Sequence, residues 1–210
     1  VSGTNRSALA RREAEVLGQG PRIEPLDPES CRADILAFFD RVALADSARM
    51  PVVEVEDFPE YVPTMMHNAA LFERHTAVGL YFLSESTLSP RERELAVLRI
   101  AWLCQAPYEW GEHVHIARRI GLDGNDIERV IIGSTAAGWS ELDRAIVAGV
   151  EELHTNAAIS DATWAVLAQH WSKAQLIEFP LLVGVYQSTA YLQNSLRMRL
   201  HTGNEGLRAR

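Results

Sequence analysis

Glu109 and His113 stand four residues apart in a stretch with helical periodicity, so their side chains share one helix face. A carboxylate beside an imidazole is basic equipment for moving protons near neutral pH. The ring gives or takes the proton, and the carboxylate fixes its tautomer and holds its cationic form. The same face continues through Ile116, Ala117 and Ile120, which places the pair in line with an apolar stripe. Glu112, His115, Arg118 and Arg119 occupy the opposite side, so His113 is expected inside and His115 outside. On the preceding helix, Glu94 shares a face with Leu98 and Ala101 and is expected to point inward, whereas Arg91, Glu92 and Arg93 read as an exposed first turn. The bland alternative is a core histidine satisfied by Glu109, because buried ionisable groups are tolerated only when paired.

Other chemistry is weaker. Cys31 and Cys104 form no CxxC and no Cys/His cluster, and read as small buried apolar residues in a reducing compartment. Glu112-x-x-His115 and Glu151-x-x-His154 have the spacing of di-iron carboxylate helices, with Glu73 and Glu94 available as bridging ligands. Against that reading, Glu112 and His115 fall on the solvated face. Met65, Met66 and His67 could roof a pocket but read better as core, and Tyr186 and Tyr191 on the last helix stay open between core packing, a pocket and a subunit contact. No phosphate-binding loop, dinucleotide fingerprint or nucleophile elbow is present.

The elements that must position these groups are helices. Asp27-Pro28 opens one that carries Ile35, Leu36, Phe38, Phe39, Val42 and Ala43 at helical spacing. Residues 51–63 hold three prolines and read as a loop, and 64–84 as one long or two short helices. Ser89-Pro90-Arg91-Glu92 is a capping box with proline at the first helical position, starting a helix to about Gln105. Pro107 starts the next, ending near Gly121. Further helices are expected over about 125–132, 141–155, 161–171 and 173–199, the last containing Pro180 as a kink or break. No run alternates with period two, so the fold class is all-α, a helical bundle. Residues 1–26 read as a polar arm outside the core, and 27–210 as a single helical domain.

The chain has 210 residues, 47% of them hydrophobic, enough to bury a core without staples. A formal charge of −8 argues against nucleic acid as a partner. No stretch approaches the roughly 18 apolar residues of a membrane span, and the polar start lacks the apolar region of a secretory signal. A cytoplasmic location, with no membrane partner, is therefore expected.

The block RERELAVLRIAWLCQAPYEWGEHVHIARRIGL resembles the carboxymuconolactone decarboxylase family within the alkylhydroperoxidase D-like superfamily. The resemblance lies in Arg-Glu-Leu followed by an apolar helix, in the Glu-x-x-x-His step, and in Ala-Arg-x-x-Gly-Leu before an acidic helix start. It extends through LDGNDIERVIIG and, more weakly, ISDATW and QLIEFPLLVGVY, covering about 85–195. In the peroxidase branch a glutamate precedes a CxxC and a histidine. Laid on this chain, these positions become Glu94, Ala106, Glu109 and His113, so both thiols are absent and disulfide-based peroxide reduction is disfavoured. The decarboxylase branch keeps glutamate and histidine four apart followed by valine, here Glu109, His113 and Val114.

The resemblance implies an alkylhydroperoxidase D-like bundle assembled as a homo-oligomer, a trimer or hexamer, with sites near subunit contacts. It also implies a cofactor-free decarboxylase, or a related isomerase or lyase, acting on a small carbonyl-bearing acid or lactone through His113, Glu109 and Glu94. Trp110, Leu98 and Ala106 are the expected pocket wall. No metal or organic cofactor is required, because a conjugated carbonyl in the substrate is its own electron sink. The alternatives are a non-catalytic ligand-binding or scaffold member of the same fold and, behind it, a di-metal carboxylate protein.

Overall fold

The computed structural model describes residues 3–45 and 59–210. Among the described residues every regular element is helical. These elements are α1 (Gly3–Leu17), α2 (Pro28–Ala45), α3 (Tyr61–Met65), α4 (Ala69–Ser84), α5 (Pro90–Leu103), α6 (Pro107–Arg119), α7 (Gly124–Ile132), α8 (Glu141–Asn156), α9 (Asp161–His170) and α10 (Lys173–Leu196).

Side chains that satisfy free backbone N–H groups mark where these helices begin. The hydroxyl of Ser89 accepts from the Glu92 N–H and the Glu92 carboxylate accepts from the Ser89 N–H, with Pro90 at the first helical position. Asp123 with Asp126, and Ser172 with Gln175, make the same reciprocal boxes; Ser140 and Ser160 cap α8 and α9. Asn68 caps α4, and a short 3-10 turn at Met66–Asn68 divides the 64–84 stretch. α10 continues through Pro180 without ending. The loop expected at 51–63 lies largely outside the described residues; its last part is helical in α3.

α5 is the central rod. Every residue from Arg93 to Ala101 is buried. A helix that is buried on all sides needs neighbours on all sides, and α6, α7, α8 and α10 provide them. A second cluster joins Cys31, Ile35 and Phe38 of α2 to Val62, Met65, Phe72, Tyr108 and Met198, with Phe38 and Phe72 stacked at 4.5 Å between centroids.

The polar leader does not stay outside the core. Leu9 of α1 is buried in the main cluster, and Glu13 accepts from the Leu207 N–H at 2.8 Å. Residues 198–210 form a C-terminal strap over α6. The indole N–H of Trp110 donates to the Ala209 carbonyl at 3.1 Å, and Asn204 Nδ2 donates to the Tyr108 carbonyl at 3.0 Å. Gly111 makes room for Asn204: a Cβ there would lie 1.8 Å from Asn204 Oδ1.

Candidate active site

α5 and α6 turn back on each other within Cys104–Ala106, where Gln105 takes a left-handed φ of +46°. This hairpin lays the first half of α5 beside the second half of α6. Glu94 and His113 meet there: His113 Nδ1–H donates to Glu94 Oε2 at 2.8 Å. Both are buried, at 0% and 8% exposure. The other Glu94 oxygen, Oε1, accepts from Arg93 Nε at 3.1 Å, and Arg93 also donates to the carbonyls of Phe82 and Leu83 at the end of α4. Arg93 is therefore a buried anchor rather than part of an exposed first turn. Burial pushes the Glu94 carboxyl up, but His113 and Arg93 outweigh burial and hold it below the usual carboxylate range. With an ionised Glu94 accepting at Nδ1, the histidine keeps its proton there and presents Nε2 for chemistry.

Glu109 behaves differently, and the expected Glu109–His113 pairing is corrected. Glu109 is 2% exposed, and neither of its carboxyl oxygens has a hydrogen-bond partner among the described residues. The shared helix face is real, but the charge-assisted bond from another helix captures the imidazole. Burial alone pushes the Glu109 carboxyl well above its ordinary value, which favours its neutral form. Two glutamates in one region are thus shifted in opposite directions.

Tyr186 of α10 completes the arrangement. Its ring stands edge-on to His113, 4.9 Å between centroids at 88°. Burial first, then the charges of Glu94 and Glu109, push its hydroxyl pKa up. Tyr61 of α3 is likewise raised, to about 12, by burial and then by Glu109. Sequence reasoning left Tyr186 undecided. The available signal was its place on the α10 stripe Phe179, Leu182, Val183, Tyr186 and Ala190, all buried, where it is the one hydroxyl.

The residues expected to wall a pocket lie in the core beneath the strap. Leu98, Ala106 and Trp110 are all fully buried. Trp110 packs on Trp102, at 4.7 Å between centroids, and is tied to the strap through Ala209. The reason is the strap itself, which covers the side of α6 that a bare hairpin would leave open. A cavity of about 180 Å³ lies instead between α4 and α10, with Tyr61 and Tyr186 in its wall.

His115 is exposed, its Nε2 against the Gly203 carbonyl at 2.9 Å. The residues of the metal alternative are dispersed among other partners. Glu112 meets His201 and Asn204, Glu151 meets Arg99 and Ser134, and Glu73 meets Arg41. Among the described residues no group of three or more His, Cys, Asp or Glu is placed to hold a metal. Burial, then the Glu109 charge, pushes the Cys104 thiol up to about 12, so it supplies almost no thiolate.

Residues 68–152 match the carboxymuconolactone decarboxylase family. The matched residues run from the Asn68 cap of α4 into α8. They include Glu94, Glu109 and His113. No curated protein matches the chain. Among solved structures, the chain is similar to an alkylhydroperoxidase AhpD core, a peroxidase-related protein from Ralstonia eutropha. The identity is 16% and the TM-score 0.69, over 87% of this chain and 93% of the other. A peroxidase-related protein from Silicibacter gives 16% identity and a TM-score of 0.66, over 82% and 87%. A variant of the debrominase Bmp8 in complex with 2,3,4-tribromopyrrole gives 16% identity and a TM-score of 0.63, over 89% and 95%. These likenesses establish the all-helical AhpD-like fold around the carboxymuconolactone decarboxylase segment.

Proposed function

We propose that the chain is a cofactor-free proton-transfer enzyme, a carboxy-lyase or a related isomerase, acting on a small carbonyl-bearing acid or lactone. One observation carries this reading: two buried glutamates stand in the hairpin of one histidine, Glu94 bound to it and held low, Glu109 without a partner among the described residues and pushed up by burial. Titratable groups pushed apart in this way divide the acid and base roles between them.

In a decarboxylation, the bond to the carboxylate carbon breaks, carbon dioxide leaves, and the electron pair moves into the conjugated carbonyl. Neutral Glu109 donates a hydrogen bond to the developing enolate oxygen. His113, oriented by Glu94, delivers a proton from Nε2 to carbon and is reprotonated from solvent. Isomerisation uses the same groups, with neutral His113 first removing the proton it later returns. The 2,3,4-tribromopyrrole bound by the fold relative Bmp8 supports a small ring as the substrate class.

A homo-oligomer, trimer or hexamer, belongs to the same proposal. What supports it is an apolar groove of about 740 Å³ between α4 and α10, flanked by exposed Val78, Tyr81, Ile177 and Leu181. A second copy of the chain is its occupant, since a continuous apolar face of this kind is unfavourable in water. Cytoplasmic placement is supported by the free thiols of Cys31 and Cys104. Among the described residues no helix is long and apolar enough to cross a membrane.

The test is turnover of a carboxylated muconolactone, followed by carbon dioxide release. His113→Ala is expected to lose about 10²–10⁴-fold and His115→Ala almost nothing. Equal losses in the two variants, or no turnover of carboxylated or enolisable lactones by the unaltered protein, would overturn the reading.

A further inference from the structure

The 180 Å³ cavity between α4 and α10 lies beside the proton-transfer groups. Tyr186, in its wall, stands against His113. Its remaining wall includes His75, Gly79, Leu80 and Thr189, and no Asp, Glu, Lys or Arg. A cavity of about 150 Å³ accepts benzene, so this one suits a single substituted ring. A carboxylate entering it would shed its hydration with no cation in the wall to replace it.

The hydrogen bonds of His75 define what polar group the ring should carry. Thr189 Oγ1–H donates to the Val185 carbonyl at 2.9 Å. The hydroxyl oxygen is therefore left to accept, and the His75 Nε2 at 3.1 Å must be the donor. A neutral imidazole protonated at Nε2 has its lone pair at Nδ1, and that nitrogen has no partner among the described residues. Burial lowers the His75 pKa, which keeps the ring neutral and the lone pair available.

We infer that this cavity is a ligand site beside the proton-transfer groups and that His75 selects its occupant: a neutral single-ring compound whose hydroxyl or enol hydrogen is accepted by His75 Nδ1. The inference stands beside the proton-transfer reading and does not depend on it.

Binding of phenol, toluene and benzoate to the full chain, followed by ligand-observed NMR and calorimetry, tests it without turnover. Phenol should bind, and benzoate should bind at least about tenfold more weakly. His75→Phe should weaken phenol about tenfold, the loss of one hydrogen bond, and leave toluene within about twofold. Gly79→Leu should abolish binding of phenol and toluene. A Cβ at Gly79 meets nothing within 4 Å, and leucine is the better helix former, so the melting midpoint should hold or rise. No phenol binding, equal loss of phenol and toluene in His75→Phe, or binding that survives Gly79→Leu would overturn the ligand site. Phenol binding as expected together with failed turnover would sink only the proton-transfer reading.

Discussion

Glu178 and Glu109 are both buried glutamates, 5% and 2% exposed, and they do opposite things. Glu178, near the start of α10, is saturated: it accepts from the Thr87 N–H at 2.9 Å, from the Thr87 hydroxyl at 2.6 Å and from the Ser86 hydroxyl. Burial pushes its pKa up, but those donors outweigh burial and hold it low. It works as a clasp on the α4–α5 turn. Glu109, in the first turn of α6, has no donor among the described residues, and burial pushes its pKa up unopposed. Burial alone does not separate a structural carboxylate from a chemical one; the hydrogen-bond accounting does. Glu94 shares features of both, being saturated like Glu178 yet joined to the one buried histidine of the α5–α6 hairpin.

The widest gap between the two regions should appear in rate. His113→Ala is expected to cost about 10²–10⁴-fold in turnover with the helical circular dichroism unchanged, whereas Glu178→Gln should leave turnover near its original value. Steady-state kinetics on the two purified variants would break the comparison if Glu178→Gln lost as much as His113→Ala.

The order reverses in stability. Glu178→Gln removes an ionised acceptor from several donors and should cost about 1.5–3 kcal/mol, a midpoint drop of roughly 3–12 °C in calorimetry. Glu109→Gln should go the other way. A carboxyl whose folded pKa is raised contributes stability that is present below its unfolded pKa and lost as pH rises through its folded pKa. The Gln variant lacks that loss, so at neutral pH it should be more stable than the unaltered protein while turning over more slowly. Denaturant melts at several pH values would show the difference between the two proteins growing above pH ~4.3, the ordinary glutamate value. A Glu109→Gln variant destabilised at pH 7 would mean the carboxyl has a partner after all.

The smallest effect belongs to Cys104→Ser. Its raised pKa leaves no thiolate to lose, so kinetics should be nearly unchanged apart from a slight packing penalty. A large loss in a folded variant would return thiol chemistry to the site.

Helix boundaries were legible because local chemistry sets them. Ser89, Asp123, Ser140, Ser160 and Ser172 each satisfy an N–H of the turn that follows, and the spacing of such caps is written in the chain. The family was legible for a similar reason, since the α5–α6 block lies within one continuous run of residues. The inward placement of Glu94 and His113 followed from face and period. Their pairing did not, because the partner of His113 is 19 positions away and only the packing of α5 on α6 chooses it over Glu109. Arg93 read as exposed because a first turn usually is. Carbonyls at the end of α4, which no periodicity reveals, bury it. The covering of Trp110 was not legible, because the strap from 198–210 reaches it from nearly a hundred residues away. His75, Tyr61 and Tyr186 come together from three separate helices, so their cavity had no local signature.

The central claim is that Glu109 is neutral and Glu94 ionised in the same folded molecule. Carbon-13 NMR titration of the glutamate carboxyls, on the full chain and on Glu94→Gln and Glu109→Gln, measures this directly. One carboxyl resonance should remain at its protonated position at pH 7 and vanish in Glu109→Gln, while the resonance lost in Glu94→Gln should already be ionised below pH ~4.3. A Glu109 resonance that titrates with the exposed glutamates, fully ionised at pH 7, would contradict it.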